Sequence, residues 1–253
     1  MPRHPSPAAP RISPPDIDRG SLSAERVARI VASWRALCED ERDSVIAATL
    51  VAGDLARLGA PPSILGAAAR VIEDEVRHVG VCATVLERLG GEVAEVAAED
   101  RRRGLGDDPC IERRPARVLV AGFGVGEWIS AGWFAAARRT CREPLLRWGL
   151  TELLRDEARH GAFGIDAARW LTRRWSDADR RALWPECVAE MEAFERRLGG
   201  PIAAHEATAP NPDDLAVGIL SPHQSCAAAV SAVERWVIPS LARLGVLPPP
   251  PAC

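Results

Sequence analysis

Asp74-Glu75-Val76-Arg77-His78 returns, with one change, as Asp156-Glu157-Ala158-Arg159-His160. Glu and His three residues apart project from one face of a helix, so each Glu-x-x-His offers a carboxylate oxygen and an imidazole nitrogen to one point. Two such pairs, with one glutamate from each of two further helices, make the ligand set of a two-metal carboxylate site inside a four-helix bundle. The flanking sequence supplies the helices. Ser23 caps a first helix, with Glu25 in its opening turn and apolar residues recurring from Val27 through Ile30, Trp34, Leu37 and Val45 until Gly59 ends it. Pro61-Pro62 opens a second, which stops at Gly90-Gly91, and so short a loop between the two predicts an antiparallel hairpin.

From Gly91 to Pro115 the chain turns polar, with Arg101-Arg102-Arg103 and Pro109, which suits a long crossover between hairpins. A third helix is expected from Ala116 to about Cys141, and a fourth from Pro144 to about Arg174. Ser176 and Asp177 can cap a fifth helix to Leu198, and after a Pro-rich loop through Pro212 a sixth is expected from Ser221 to Leu244. No stretch alternates as a half-buried strand does, so the fold class is all-α. The expected organisation is a four-helix bundle over 21–175, two additional C-terminal helices over 176–247 and a Pro-rich tail over 248–253. Residues 1–20 hold six prolines and no apolar core segment, which predicts a disordered arm and no signal peptide.

Composition narrows the functional classes. The 253 residues are 47% hydrophobic, ample for a buried core. A net charge of −3, with both signs interspersed, gives no basic stripe for nucleic acid. Seven cysteines scattered singly fit neither a disulfide framework nor a zinc clamp and point to a reducing, cytoplasmic setting. Val118 to Ala137 is long and apolar enough to span a bilayer, but four glycines and the central Glu127 fit better with a helix buried inside a bundle. No membrane is therefore expected as a partner.

Glu75 and His78 fall on helix two, Glu157 and His160 on helix four, and helices one and three must each add a carboxylate. On helix three Glu127 is the only acid in the apolar stretch, where an unpaired carboxylate would be costly without a cation. Helix one offers Glu39, Asp40, Glu41, Asp43 and Asp54. Glu41 is selected because it precedes Glu75 by 34 residues, much as Glu127 precedes Glu157 by 30, and because Leu37, Cys38, Val45 and Ala48 share its face. The metal ligands are then Glu41, Glu75, His78, Glu127, Glu157 and His160. Four carboxylates match two divalent cations, and oxygen donors with one nitrogen per metal suit two Fe ions or, alternatively, Mn. Glu75 and Glu157 are assigned as the bridging pair. Asp74 and Asp156 are assigned to hydrogen-bond the imidazole of the opposite pentapeptide.

Over about Ser23 to Arg174 the chain resembles the ferritin-like di-iron carboxylate proteins, through Glu41 followed by the first pentapeptide and Glu127 followed by the second. Within that superfamily it looks like the O2-activating branch. The resemblance implies a di-iron oxidoreductase that uses O2 or a peroxide to oxidise a small organic substrate, served by a separate electron donor, in a bundle of a kind that often dimerises. Alternatives on the same ligands are a metal-handling or protective protein, ferroxidase or dimanganese catalase, or a non-enzymatic bundle that the metal only stabilises. Leu153 stands where the N-oxygenases add a third His, and no Tyr is present to store a radical as ribonucleotide reductase subunits do.

Other features have plainer readings. Gly122 and Gly124 imitate a dinucleotide-binding turn, but Glu127 stands where its third glycine belongs. They read instead as points of close helix approach, or as space beside Glu127 for a pocket with Phe123, Ala131 and Phe134. His4, His205 and His223 read as solvated residues of loops or tails, Cys82 as a buried thiol, and Trp34, Trp128, Trp133 and Trp148 as core.

Overall fold

A computed structural model describes residues 13–92, 112–200 and 209–248. Most of the N-terminal arm, the crossover residues 93–111, the loop residues 201–208, His4, His205 and the last residues of the tail lie outside the described residues. The described residues are helical, and none forms a strand.

Helix α1 (Ala24–Arg57) starts where Ser23 accepts a hydrogen bond from the Arg26 amide at 3.2 Å, and Gly59 turns the chain with a φ of +74°. Pro62 occupies the first turn of α2 (Pro62–Leu89), where its missing N–H costs nothing, and Gly90 caps the far end in the left-handed conformation. Helix α3 (Arg113–Thr140) is followed by α4 (Pro144–Leu171), which Glu143 caps by accepting from the Leu146 amide at 2.7 Å. These four helices pack around one another in a bundle-like arrangement.

Two apolar clusters form the core. One joins Val51 and Leu55 to Val71, Phe123 and Phe163, and the other joins Trp34 and Cys38 to Val85, Phe134 and Leu146. Their order along each helix shows that α1 and α4 run one way, α2 and α3 the other. Between the clusters lies a buried polar band from all four helices, and it holds both pentapeptides.

Helix α3 passes the length and hydropathy test for a membrane span, yet 56% of its most apolar window is buried in the fold. Its first half is irregular: Val118–Glu127 is π-helical. Widening each turn by one residue shifts the face that later side chains present, and such segments are often found at functional sites. The glycines divide by task. A Cβ on Gly164 would lie 2.6 Å from both the Leu119 carbonyl and the Phe123 Cβ, and one on Gly124 would meet Ile165 at 2.9 Å. Those two allow α3 and α4 to touch. Gly122 has nothing closer than 3.7 Å. Gly164→Ala is therefore expected to lower stability by about 1–3 kcal/mol through overpacking, and Gly122→Ala to change it by less than about 1 kcal/mol, as read from denaturant midpoints. Equal effects would remove the distinction.

Beyond α4 the described residues form four α-helices where two were expected. The stretch expected as one helix breaks into α5 (Asp177–Arg181) and α6 (Trp184–Arg197), because Pro185 has no amide to donate back across the joint. Asn211 and Pro212 start an unexpected short α7 (Pro212–Ala216), with the Asn side chain accepting from two amides. The last helix, α8, covers 222–244 with a π-helical turn at Val233–Val237 and a Ser221–Gln224 capping box. His223 sits half-buried in its first turn rather than in a loop. Helix α6 lies against the π-helical part of α3, and α8 against its regular part. There Trp128 stacks on Trp236 with ring centroids 5.5 Å apart.

Candidate metal centre

The polar band gathers Glu41 from α1, Glu75 and His78 from α2, Glu127 from α3, and Glu157 and His160 from α4. Three overlapping groups have ligand atoms within 4.8 Å of one another: Glu75, His78 and His160; Glu41, His78 and Glu157; Glu127, Glu157 and His160. Glu75 points one oxygen at each imidazole, Oε1 at 2.9 Å from His160 Nδ1 and Oε2 at 3.5 Å from His78 Nδ1. Glu41 Oε2 lies 3.1 Å from His78 Nδ1. Glu157 belongs both to the group around Glu41 and to the group around Glu127. Both imidazoles are fully buried.

Each histidine turns its other nitrogen to the aspartate of the opposite pentapeptide. His160 Nε2 is 3.4 Å from Asp74 Oδ2, within hydrogen-bonding reach, whereas His78 Nε2 is 3.5 Å from Asp156 Oδ2 and makes no hydrogen bond of good geometry. An Nε2–H donated to an aspartate leaves the Nδ1 lone pair facing the cluster, as metal-binding imidazoles require.

The sequence reading missed the two arginines. Neither was expected at the site, yet Arg77 is 4% exposed and both reach the aspartates of the two pentapeptides. Asp74 accepts from Arg77 at 3.0 Å and from Arg159 at 2.5 Å; Asp156 accepts from both as well. Buried Glu152 lies 3.8 Å from Arg77 and 2.8 Å from Arg155. Recurrence of Arg at the fourth place of both pentapeptides was the available signal. Asp54, the other buried acid on α1, is committed elsewhere by a two-pronged ion pair with Arg114 at 2.9 and 2.5 Å.

Electrostatics follows from this geometry. Burial raises the Asp74 and Asp156 carboxyls, but His160 and Arg159 around the first, and His78 and Arg77 around the second, outweigh it and hold both well below the usual range. The same balance keeps Glu75 low, through His160 and His78. Burial wins at Glu41, pushed up to about 8 despite His78, and at Glu157, raised further by Glu127. Burial lowers the imidazoles, but Asp74 and Glu75 carry His160 up to about 9, and Glu41 with Asp156 lifts His78 well above its ordinary value.

A divalent cation fits these residues. Glu75 Oε1, Glu157 Oε1 and His160 Nδ1 are buried without a hydrogen bond of good geometry, each a cost of about 1–3 kcal/mol if left uncompensated. The arginines are occupied by the aspartates, so in the metal-free fold only protons offset the ligand charge. That predicts opposite pH trends. Protons held at about 8 on Glu41 and about 9 on His160 bind the fold more tightly than the unfolded chain, so the metal-free protein loses stability as pH rises through those values. Metal uptake expels the same protons and strengthens with pH. Calorimetry in buffers of different ionisation enthalpy checks the release, and uptake without protons would contradict it.

A cavity of about 870 Å³ lies between α1, the π-helical part of α3 and α6, and Glu41, Glu127 and Glu157 line it. Gly122, Gly126, Phe123 and Phe134 line it too, whereas Ala131 does not, being buried on another face. Cys82 is fully buried, and burial pushes its thiol well up, which makes it inert. No family model, curated protein or solved structure matches the chain.

Proposed function

We propose that the chain is a ferritin-like di-iron oxidoreductase that uses O2, or a peroxide, to oxidise a small organic substrate. The observation that carries the reading is a buried cluster of four carboxylates and two imidazoles with one face open to a cavity of about 870 Å³. Glu41, Glu75, His78, Glu127, Glu157 and His160 would hold two Fe ions, which when bound supply the electrons for reducing the oxidant.

The chain's own residues set the conditions. Asp74 would hold His160 with Nδ1 facing inward, and Asp156 stands 3.5 Å from His78 Nε2 on the matching side. Glu41, Glu127 and Glu157 stand at the cavity, where carboxylates have room to change orientation. Phe123 and Phe134 keep the adjoining wall apolar and exclude water from it. Repeated turnover would draw on a separate electron donor.

Anaerobic loading with Fe(II), metal analysis and mixing with O2 test the reading. Two Fe per chain, O2 consumption and a transient oxidised chromophore are expected. A second reading, metal handling or peroxide protection, is favoured by the acids Glu39, Asp40 and Asp43 at the cavity, which attract cations. Dioxygen evolved from peroxide by a manganese-loaded form would support it. Metal binding that raises heat stability with no redox reaction would overturn both.

A further inference from the structure

We propose that the cavity binds an amphiphilic organic cation, its apolar body directed at the metal cluster and its ammonium group held at the mouth by Glu39, Asp40 and Asp43. The proposal rests on the di-iron reading for which end of the molecule is oxidised, and on the cavity alone for which molecule binds.

The walls define the body. Leu37, Ile46, Phe123, Phe134, Phe194 and Leu198 line a space of about 870 Å³, within the roughly 300–1,000 Å³ usual for small-molecule sites and far more than an ion needs. The floor is acidic: Glu41, Glu127 and Glu157 of the metal cluster line it.

Charge at the mouth defines the head group. Two arginines line the cavity and both are matched, Arg117 with Glu186 and Arg197 with Glu190, each at 3.5 Å. Glu39, Asp40 and Asp43 come from little more than one turn of α1, and none lies within ion-pair distance of a cation among the described residues. Arg42, their neighbour in sequence, does not line the cavity. An anionic substrate would meet three carboxylates at the rim and three more on the floor. A neutral one would gain nothing from the rim, whereas an ammonium offsets part of its charge.

Binding of octylammonium, octanol and octanoate to the full chain, metal-free and manganese-loaded, tests the proposal independently of turnover. Octylammonium is expected to bind about tenfold more tightly than octanol, as modest attraction from each of several exposed carboxylates implies. Octanoate should bind weakest, and the preference should shrink with salt. The double variant D40N/D43N, altered at exposed positions, should lose the preference and bind octanol as before. Equal affinity for octylammonium and octanol, no binding by any of the three, or a preference that survives D40N/D43N would overturn it. So would slowed Mn(II) uptake in D40N/D43N with the octyl series unchanged, since the rim would then serve metal entry. A cation preference in a protein whose ferrous form ignores O2 and peroxide would retain this inference and remove the di-iron reading.

Discussion

Arg77→Met is expected to destabilise the protein by about 3–5 kcal/mol, the usual cost of removing one partner from a buried ion pair. Arg77 is 4% exposed and faces Asp74, Asp156 and Glu152. Methionine fills much of its volume but removes one of the two arginines shared by Asp74 and Asp156, the buried one, and the cation 3.8 Å from Glu152. Arg159 occupies the matching place in the second pentapeptide and touches the same two aspartates, yet its side chain is 46% exposed. Water can replace it, so Arg159→Met should cost about 1 kcal/mol or less. Urea unfolding of the two variants checks the contrast. Equal losses would show that burial does not set the worth of this network.

Glu75→Ala is expected to abolish stabilisation by divalent metal. The wild-type protein should gain about 2.7 kcal/mol when free metal is a hundred times its dissociation constant, and the variant close to nothing. Glu75 carries the prediction because its two oxygens face the two imidazoles separately, so one substitution removes a contact from each half. Thermal melts with and without Mn(II), together with the metal content of dialysed protein, read the effect. Comparing each variant with its own metal-free form cancels whatever Glu75→Ala does to the fold itself. Glu39→Gln is the control, since Glu39 is exposed and belongs to none of the three ligand groups. Full stabilisation of Glu75→Ala would disprove the ligand assignment.

Local chemistry made much of the fold legible. Ser23, Pro62, Gly90 and Pro144 mark helix ends through their own backbone preferences, which need no partner. The two pentapeptides were legible for the same reason, since helical spacing alone puts Glu and His together. What depended on tertiary contact was not. Arg77 and Arg159 occupy equivalent places in sequence, and only the packing of α2 against α4 buries one and leaves the other half in water. Asp54 looks like a rival to Glu41 until Arg114 is seen to meet it. The π-helical stretch Val118–Glu127 escaped because apolar periodicity carries no mark of a widened turn when every residue before Glu127 is small or apolar. The cavity was legible only on its α3 side, where a pocket beside Glu127 with Phe123 and Phe134 was one of two readings; the walls from α1 and α6 come from packing that no single segment encodes.

Among the described residues, the cluster opens toward the cavity. Glu75, His78 and His160 back onto a wall of aspartates and arginines, whereas Glu41, Glu127 and Glu157 face the cavity. A duplicated sequence has thus folded into something with a front and a back. Whatever arrives through the cavity meets carboxylates, never an imidazole. The carboxylates with open space beside them are on the approach side, and both imidazoles lie fully buried behind. Drift in the rear wall would disturb the donors of both pentapeptides together, whereas drift in the front would change what can come near them. Substitutions behind the cluster should therefore register first as lost metal, and those before it as altered choice of reaction partner.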